Sequence, residues 1–150
     1  MTEQSPAPAT TPLGPDAFKR VRDSFSRQGL VGTLGAWLVE LDAGRAAIEI
    51  PYSIRVAGQS GRFHSAVVAG IAQACGGSAA GTLAPEGTNL AAGSIDMRFT
   101  GQTDGDLLRA DGKAAADGPG RWKVAVEVTC RRDGQWSACA SGTVDFVVRG

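Results

Sequence analysis

The residues RFHSAVVAGIAQACGGSAAGT, 62–82, decide the fold: from His64 to Thr82 the chain runs nineteen residues without a charged side chain. Val67, Val68, Ile71, Ala74, Cys75 and Ala79 recur at spacings of three and four, which predicts a helix with an apolar face committed to a core. The positions between them are small: Ser65, Ala66, Ala69, Gly70, Ala72, Gly76, Gly77, Ser78, Ala80 and Gly81. Each glycine costs a helix about 1 kcal/mol relative to alanine, so packing has to offset the deficit by letting neighbouring elements come close.

Three other readings of this stretch are weaker. A bilayer span needs about 20 apolar residues, and Gly77 and Gly81 have the spacing of a small-residue helix seam. His64, Gln73 and three hydroxyls inside the run argue against insertion, and no membrane partner is expected. Ser78 lies among small residues, but a nucleophile elbow ends in glycine and follows a strand. The single histidine, His64, would stand about 21 Å from Ser78 along one helix, so no serine triad closes within the chain. One histidine and three scattered cysteines carry no ligand spacing, and no metal is expected.

At 150 residues, 43% hydrophobic and 20% charged, the chain is long enough for one domain with a sizeable core. Fifteen basic and fifteen acidic residues leave no net charge, which removes the electrostatic footprint of a nucleic-acid binder and one barrier to self-association. The beginning of the chain has Glu3 and several prolines where a secretory leader would need an apolar run. With three cysteines, Cys75, Cys130 and Cys139, that predicts a reducing, cytoplasmic setting.

Residues 1–14 hold three of the seven prolines and read as a disordered tail, leaving 15–150 as a single domain. From Pro15 a helix is expected, with Asp16 in its first turn, Phe18, Val21, Arg22 and Phe25 at helical spacing, and an end near Gly29. Its apolar stripe predicts packing against a sheet. Residues 33–41 and 45–52 are β-prone runs around Asp42-Ala43-Gly44, hence a hairpin. Residues 53–63 form a loop delivering the chain to the long helix.

Four more strands are expected, at about 89–101, 106–116, 121–132 and 135–148. Trp122, Val124, Val126, Val128 and Cys130 alternate with Lys123, Ala125, Glu127, Thr129 and Arg131, the pattern of an antiparallel strand with one buried face. The last strand reads as burying Trp136, Ala138, Ala140, Val144, Phe146 and Val148. For even positions of both strands to share a face, the 133–135 connection needs an odd loop or a bulge, and Cys139 then points away from Cys130. A helix, two strands, a long buried helix and four strands make an α+β domain, a six-stranded antiparallel sheet curled around one apolar helix.

This order, with Gln59-Ser60-Gly61-Arg62-Phe63-His64-Ser65-Ala66 leading into Ala72-Gln73-Ala74-Cys75-Gly76-Gly77-Ser78-Ala79-Ala80 and a later Ser94-Ile95-Asp96-Met97-Arg98-Phe99, resembles the hotdog-fold acyl-CoA thioesterases of the phenylacetate-pathway (PaaI-like) type. The resemblance spans roughly Phe25 to Val148. It implies a thioester carbonyl held at the start of the central helix, where Ser65 and Ala66 supply backbone N–H donors and the helix dipole stabilises the oxyanion. It implies that His64 and Gln59 orient the carbonyl or a water, and that Gly61, Phe63, Ala66, Gly77 and Arg98 contact substrate. Coenzyme A enters as part of an acyl-CoA substrate, with no separate cofactor, and the working unit is a homodimer or homotetramer with sheets joined edge to edge.

Where the resembled proteins carry a carboxylate on the helix, this chain has Gln73, whose amide is no base at neutral pH. Asp96 is the nearest replacement. Arg98, Arg109, Lys113, Arg121 and Lys123 are candidates for CoA phosphates or, on alternating strands, for solvated faces. The expected function is hydrolysis of a small aryl or medium-chain acyl-CoA, with Gln73 orienting the water. The alternatives are a non-catalytic acyl-CoA-binding module and a lyase or hydratase on the same fold.

Overall fold

Pro15 begins α1 (Pro15–Ser26), its ring occupying a position where a helix needs no N–H, and Asp16 places negative charge in the first turn. The computed structural model describes residues 13–149, so 1–12 of the expected tail lie outside the described residues. A second helix, α2 (Gly29–Leu34), occupies residues expected to be loop or strand, and Gly35 ends it at φ 67°. Leu30, Val31 and Leu34 are too few for a strand of their own, and burying Val31 in the core favours the turn of helix. The strands follow as β1 (Trp37–Asp42) and β2 (Arg45–Pro51), then the long helix α3 (Ser65–Leu83), then β3 (Leu90–Phe99), β4 (Leu107–Ala116), β5 (Arg121–Arg132) and β6 (Gln135–Val148).

All six strands form one antiparallel sheet in the order β1-β2-β4-β5-β6-β3, wrapped around α3 as expected. Ile48 and Ile50 of β2, Leu108 of β4, Val124, Val126 and Val128 of β5 and Val144 of β6 turn inward onto Val68, Ile71 and Cys75 of α3, all of them buried. Burying such a side chain contributes roughly 1.5–3 kcal/mol, so this face holds the domain together. The glycines of α3 serve close approach: a Cβ on Gly76 would come within 2.9 Å of the Phe146 ring. By length and composition α3 could cross a bilayer, but ten of its residues are buried in this core. Thr82 ties the far end of α3 to the β1–β2 turn, accepting from the Gly44 N–H at 2.7 Å.

Helix α1 packs mainly on α3 and only secondarily on the sheet, where it meets β1, so the expected packing on the sheet accounts for the smaller part of its contacts. The sheet's inner face is already filled by α3, and the small residues of α3 leave room for Val21 at 3.5 Å from a Cβ built on Gly81.

The last hairpin also differs. Asp133 and Gly134, at φ 51° and 75°, make a plain two-residue turn of the kind that matches strand twist. The bulge lies farther along, where Val128 pairs with Ala140 but Thr129 pairs with Ala138. Beyond it β6 reverses parity, so Trp136 and Ala138 are exposed rather than buried, and Trp136 sits against the Arg131 guanidinium at 5.8 Å. Val148, at the strand end, is exposed as well. Cys139, expected to point away from Cys130, is the extra residue of the bulge and is buried, its thiol donating to the Val128 carbonyl at 3.4 Å.

Cys75, Cys130 and Cys139 are all free and buried. Burial pushes the Cys130 thiol up to about 12 and Cys139 up to about 11, and raises Cys75 further. Raised values mean protonated, unreactive thiols at every pH below them. A thiol reagent at pH ~8 is therefore expected to label none of the three in the folded protein and all three after unfolding; rapid labelling of the native protein would contradict this core.

Candidate active site at the start of the central helix

The approach to α3 is built by a tight loop. Phe63 is buried with its ring edge-on to Tyr52 at 5.4 Å, and its N–H donates to the Thr103 carbonyl at 2.9 Å. The Thr103 hydroxyl returns a bond to the Phe63 carbonyl at 2.9 Å, and the His64 N–H donates to the Val56 carbonyl at 2.9 Å. Ser60 at φ 59° and Gly61 at φ 70° are both left-handed, which costs a serine of order 1 kcal/mol or more and shapes the bend before the helix.

Of the four N–H groups that open α3, three are taken. His64 caps the helix with its side chain, Nδ1 accepting from the Ala66 N–H at 2.9 Å, while Val67 and Val68 donate to the His64 carbonyl at 2.9 and 3.1 Å. Among the described residues no acceptor takes the Ser65 N–H. The pair of backbone donors expected from Ser65 and Ala66 is thus corrected to one, because the imidazole occupies the second. The same bond assigns Nδ1 as acceptor, so neutral His64 carries its proton on Nε2 and presents a second donor. His64 and Ser65 are both exposed.

Gln73 lies nine residues farther, about 13 Å along the helix axis, and is exposed. It lines, with Gly77, a cleft of about 370 Å³ between α1, α3 and the start of β3. His64 and Ala66 line a different, more apolar cleft of about 340 Å³ against Leu30, Leu34 and Val56. Within one chain the structure therefore brings His64, Ser65 and Ala66 together, and separately Gln73 and Gly77, but does not join the two groups. Gln59 and Gly61 are exposed on the loop, and the Phe63 ring belongs to the core rather than to a cleft.

The strand register disposes of two candidates. Asp96 and Arg98 pair with Thr143 and Ser141, on the sheet face turned away from α3, so Asp96 cannot stand in for a helix carboxylate. Arg109 is no free phosphate ligand: Glu49 and Asp111 each hold it at 3.1 Å and Glu40 at 3.4 Å, and hydrogen bonding to Asp111 raises its pKa above the ordinary arginine value. Lys113, Arg121 and Lys123 are solvated. Ser78 spends its hydroxyl on the Ala74 carbonyl at 3.1 Å, a satisfied core serine. Arg20, which no sequence pattern singled out, lines the Gln73 cleft because α1 docks on α3. Nothing local to residue 20 announces that docking.

Among solved structures the chain is similar to a thioesterase family protein from Silicibacter pomeroyi, with 26% identity, a TM-score of 0.85 and coverage of 88% of this chain and 97% of that one. It is also similar to the Escherichia coli PaaI protein from the phenylacetic acid degradation operon, at 14% identity and TM-score 0.79, covering 92% of this chain and 96% of that one. A thioesterase from Haemophilus influenzae matches at 15% identity and TM-score 0.75, covering 88% and 90%. No protein-family model matches the chain, and no curated protein matches it by sequence. In element order, sheet topology and the position of its buried helix, the chain has the hotdog fold of these solved structures, PaaI among them.

Proposed function

We propose that the protein hydrolyses a small aryl or medium-chain acyl-CoA thioester, working as a homodimer or a pair of dimers. The observation that carries this reading is the Ser65 N–H, the one donor of the first helical turn with no acceptor among the described residues, with the Nε2–H of the neighbouring His64 as the second donor the reading assigns. A thioester oxygen placed there meets two donors and the positive end of α3. Water attacks the carbonyl carbon, the tetrahedral oxyanion forms against those donors, and its collapse breaks the C–S bond. Coenzyme A leaves as a thiolate that takes a proton, and the second water proton passes to solvent as the carboxylate forms. Gln73 of the second copy orients the attacking water.

Support for a second copy comes from β3. It is a ten-residue edge strand with Ile95 and Phe99 exposed, a surface soluble monomers normally shield. Pairing β3 with its copy joins the two sheets and sets one α3 near the other, so that the separate His64 and Gln73 groups meet across the seam. Sedimentation at micromolar concentration is expected to give a dimer or tetramer; a stable monomer would remove this part of the scheme.

The test of the chemistry is CoA release from a panel of acyl-CoA thioesters. His64→Ala is expected to lower release by about 10²- to 10³-fold through loss of an oxyanion donor, and helix stability by ~1 kcal/mol through loss of the cap. His64→Asn keeps a capping acceptor and is expected to recover stability without recovering rate. If no thioester in the panel is turned over, hydrolysis is the wrong reading. The second reading, a non-catalytic acyl-CoA-binding module, is favoured by one observation: no carboxylate lines either cleft along α3. It predicts acyl-CoA binding by calorimetry with no thiol released.

A further inference from the structure

The cleft between α1 and α3 contains an uncompensated cation. Arg20 is half-buried there, and one of its guanidinium nitrogens donates to the Gly81 carbonyl at 3.3 Å. That bond uses one of five N–H donors. Among the described residues no carboxylate pairs with Arg20 and none lines the cleft; Asp23, the next acid along α1, is paired with Lys19 at 3.9 Å. The floor is apolar, formed by Phe25, Val21 and Phe146, while Gln28 and Asn89 add amide donors. A cleft of about 370 Å³ with this apolar floor, a polar rim, a lone guanidinium at one end and Gln73 at the other fits an elongated molecule with an apolar middle that ends in an anion.

We propose that this cleft binds the acyl group of a substrate whose far end is a carboxylate, with Arg20 as its counter-ion. The substrate class is then the CoA half-thioester of a dicarboxylic acid, an assignment that rests on the thioester reading above for the CoA end but not for the anion. Gly81, where Arg20 is anchored, lies eight residues beyond Gln73, about 12 Å along the same helix face. One extended acyl chain therefore spans from the water-orienting amide to the guanidinium. The methylenes lie along Gly77 and Phe146, where the missing side chain of Gly77 keeps the cleft open. Arg20 touches the substrate without taking part in bond making, so it determines specificity.

Two measurements test this. Calorimetry compares monomethyl suberate, an ester with a carboxylate at its other end, with methyl octanoate, the neutral counterpart. The wild-type protein is expected to bind the anionic ester at least about 10-fold more tightly, as a charge-assisted contact in a partly buried cleft requires. Arg20→Gln is expected to erase that preference with affinity for methyl octanoate unchanged, and Arg20→Lys to keep part of it. The same variants are then assayed on suberyl-CoA and octanoyl-CoA, where kcat/KM should follow the binding preference. Equal binding of the two esters by the wild type, no binding of either, or an equal loss for both in Arg20→Gln would overturn the assignment. Ester discrimination with no CoA released from either thioester leaves the anion site standing and removes hydrolysis instead.

Discussion

Replacing Gln73 with aspartate is expected to raise acyl-CoA hydrolysis by about 10²- to 10⁴-fold, the usual range for a positioned general base. The side chain is exposed at the cleft, so an aspartate there is solvated and ionised at neutral pH. Glutamine can hold a water by accepting from it, but it cannot remove the proton that water loses as it attacks. On the proposed hydrolase reading, that proton goes to solvent in the wild type, and the step is expected to be slow. The assay is initial-rate CoA release by wild type and Gln73→Asp, with thermal melts to confirm that both are folded. An increase from a measurable basal rate fits the hydrolase; an increase from nothing fits the binding module. A folded Gln73→Asp protein no faster than wild type would mean that residue 73 does not face the thioester.

Gly142→Val should be the most damaging single change to the fold. Gly142 lies on β6 between Val126 of β5 and Met97 of β3, and a Cβ built there overlaps the Asp96 carbonyl and comes within 2.8 Å of the Met97 sulfur. The Met97 side chain can swing aside. The Asp96 carbonyl is backbone, and moving it takes the outermost strand out of register. Overpacking of this kind costs about 3 kcal/mol or more, which for a domain of this size lowers Tm by roughly 10 °C. Since β3 is also the proposed dimer edge, the same variant should sediment as a smaller species. A melt within a degree or two of the wild type would show that β3 is free to shift and that its contact with β6 is not tight.

The period-two pattern of 122–130 and the uncharged run of 64–82 made the sheet and its central helix legible without a structure. Both patterns act over a few residues: a strand turns alternate side chains to opposite faces, and an apolar helix without charges has nowhere to go but inside. Apart from the start of β1, expected at 33 and observed at 37 because α2 takes those residues, strand limits came within two residues of those observed, since glycine, proline and aspartate mark the turns. The candidate site was only half legible. His64 at the start of the helix could be read from its place before a run of small residues. That its ring would consume the Ala66 N–H, leaving Ser65 alone, depended on a rotamer no spacing encodes.

By itself, then, the sequence determined what is periodic: which face of each strand is apolar, where the chain turns, and that one helix must be enclosed. Only the tertiary structure decided the rest. It set the β6 bulge that turns Trp136 outward and Cys139 inward, the docking of α1 that brings Arg20 to Gly81, the outward face of Asp96, and the separate clefts of His64 and Gln73. These depend on how side-chain volumes from distant segments fill the same space. Such volumes are fixed when surfaces meet, whereas periodicity is already fixed by the geometry of a single strand or helix.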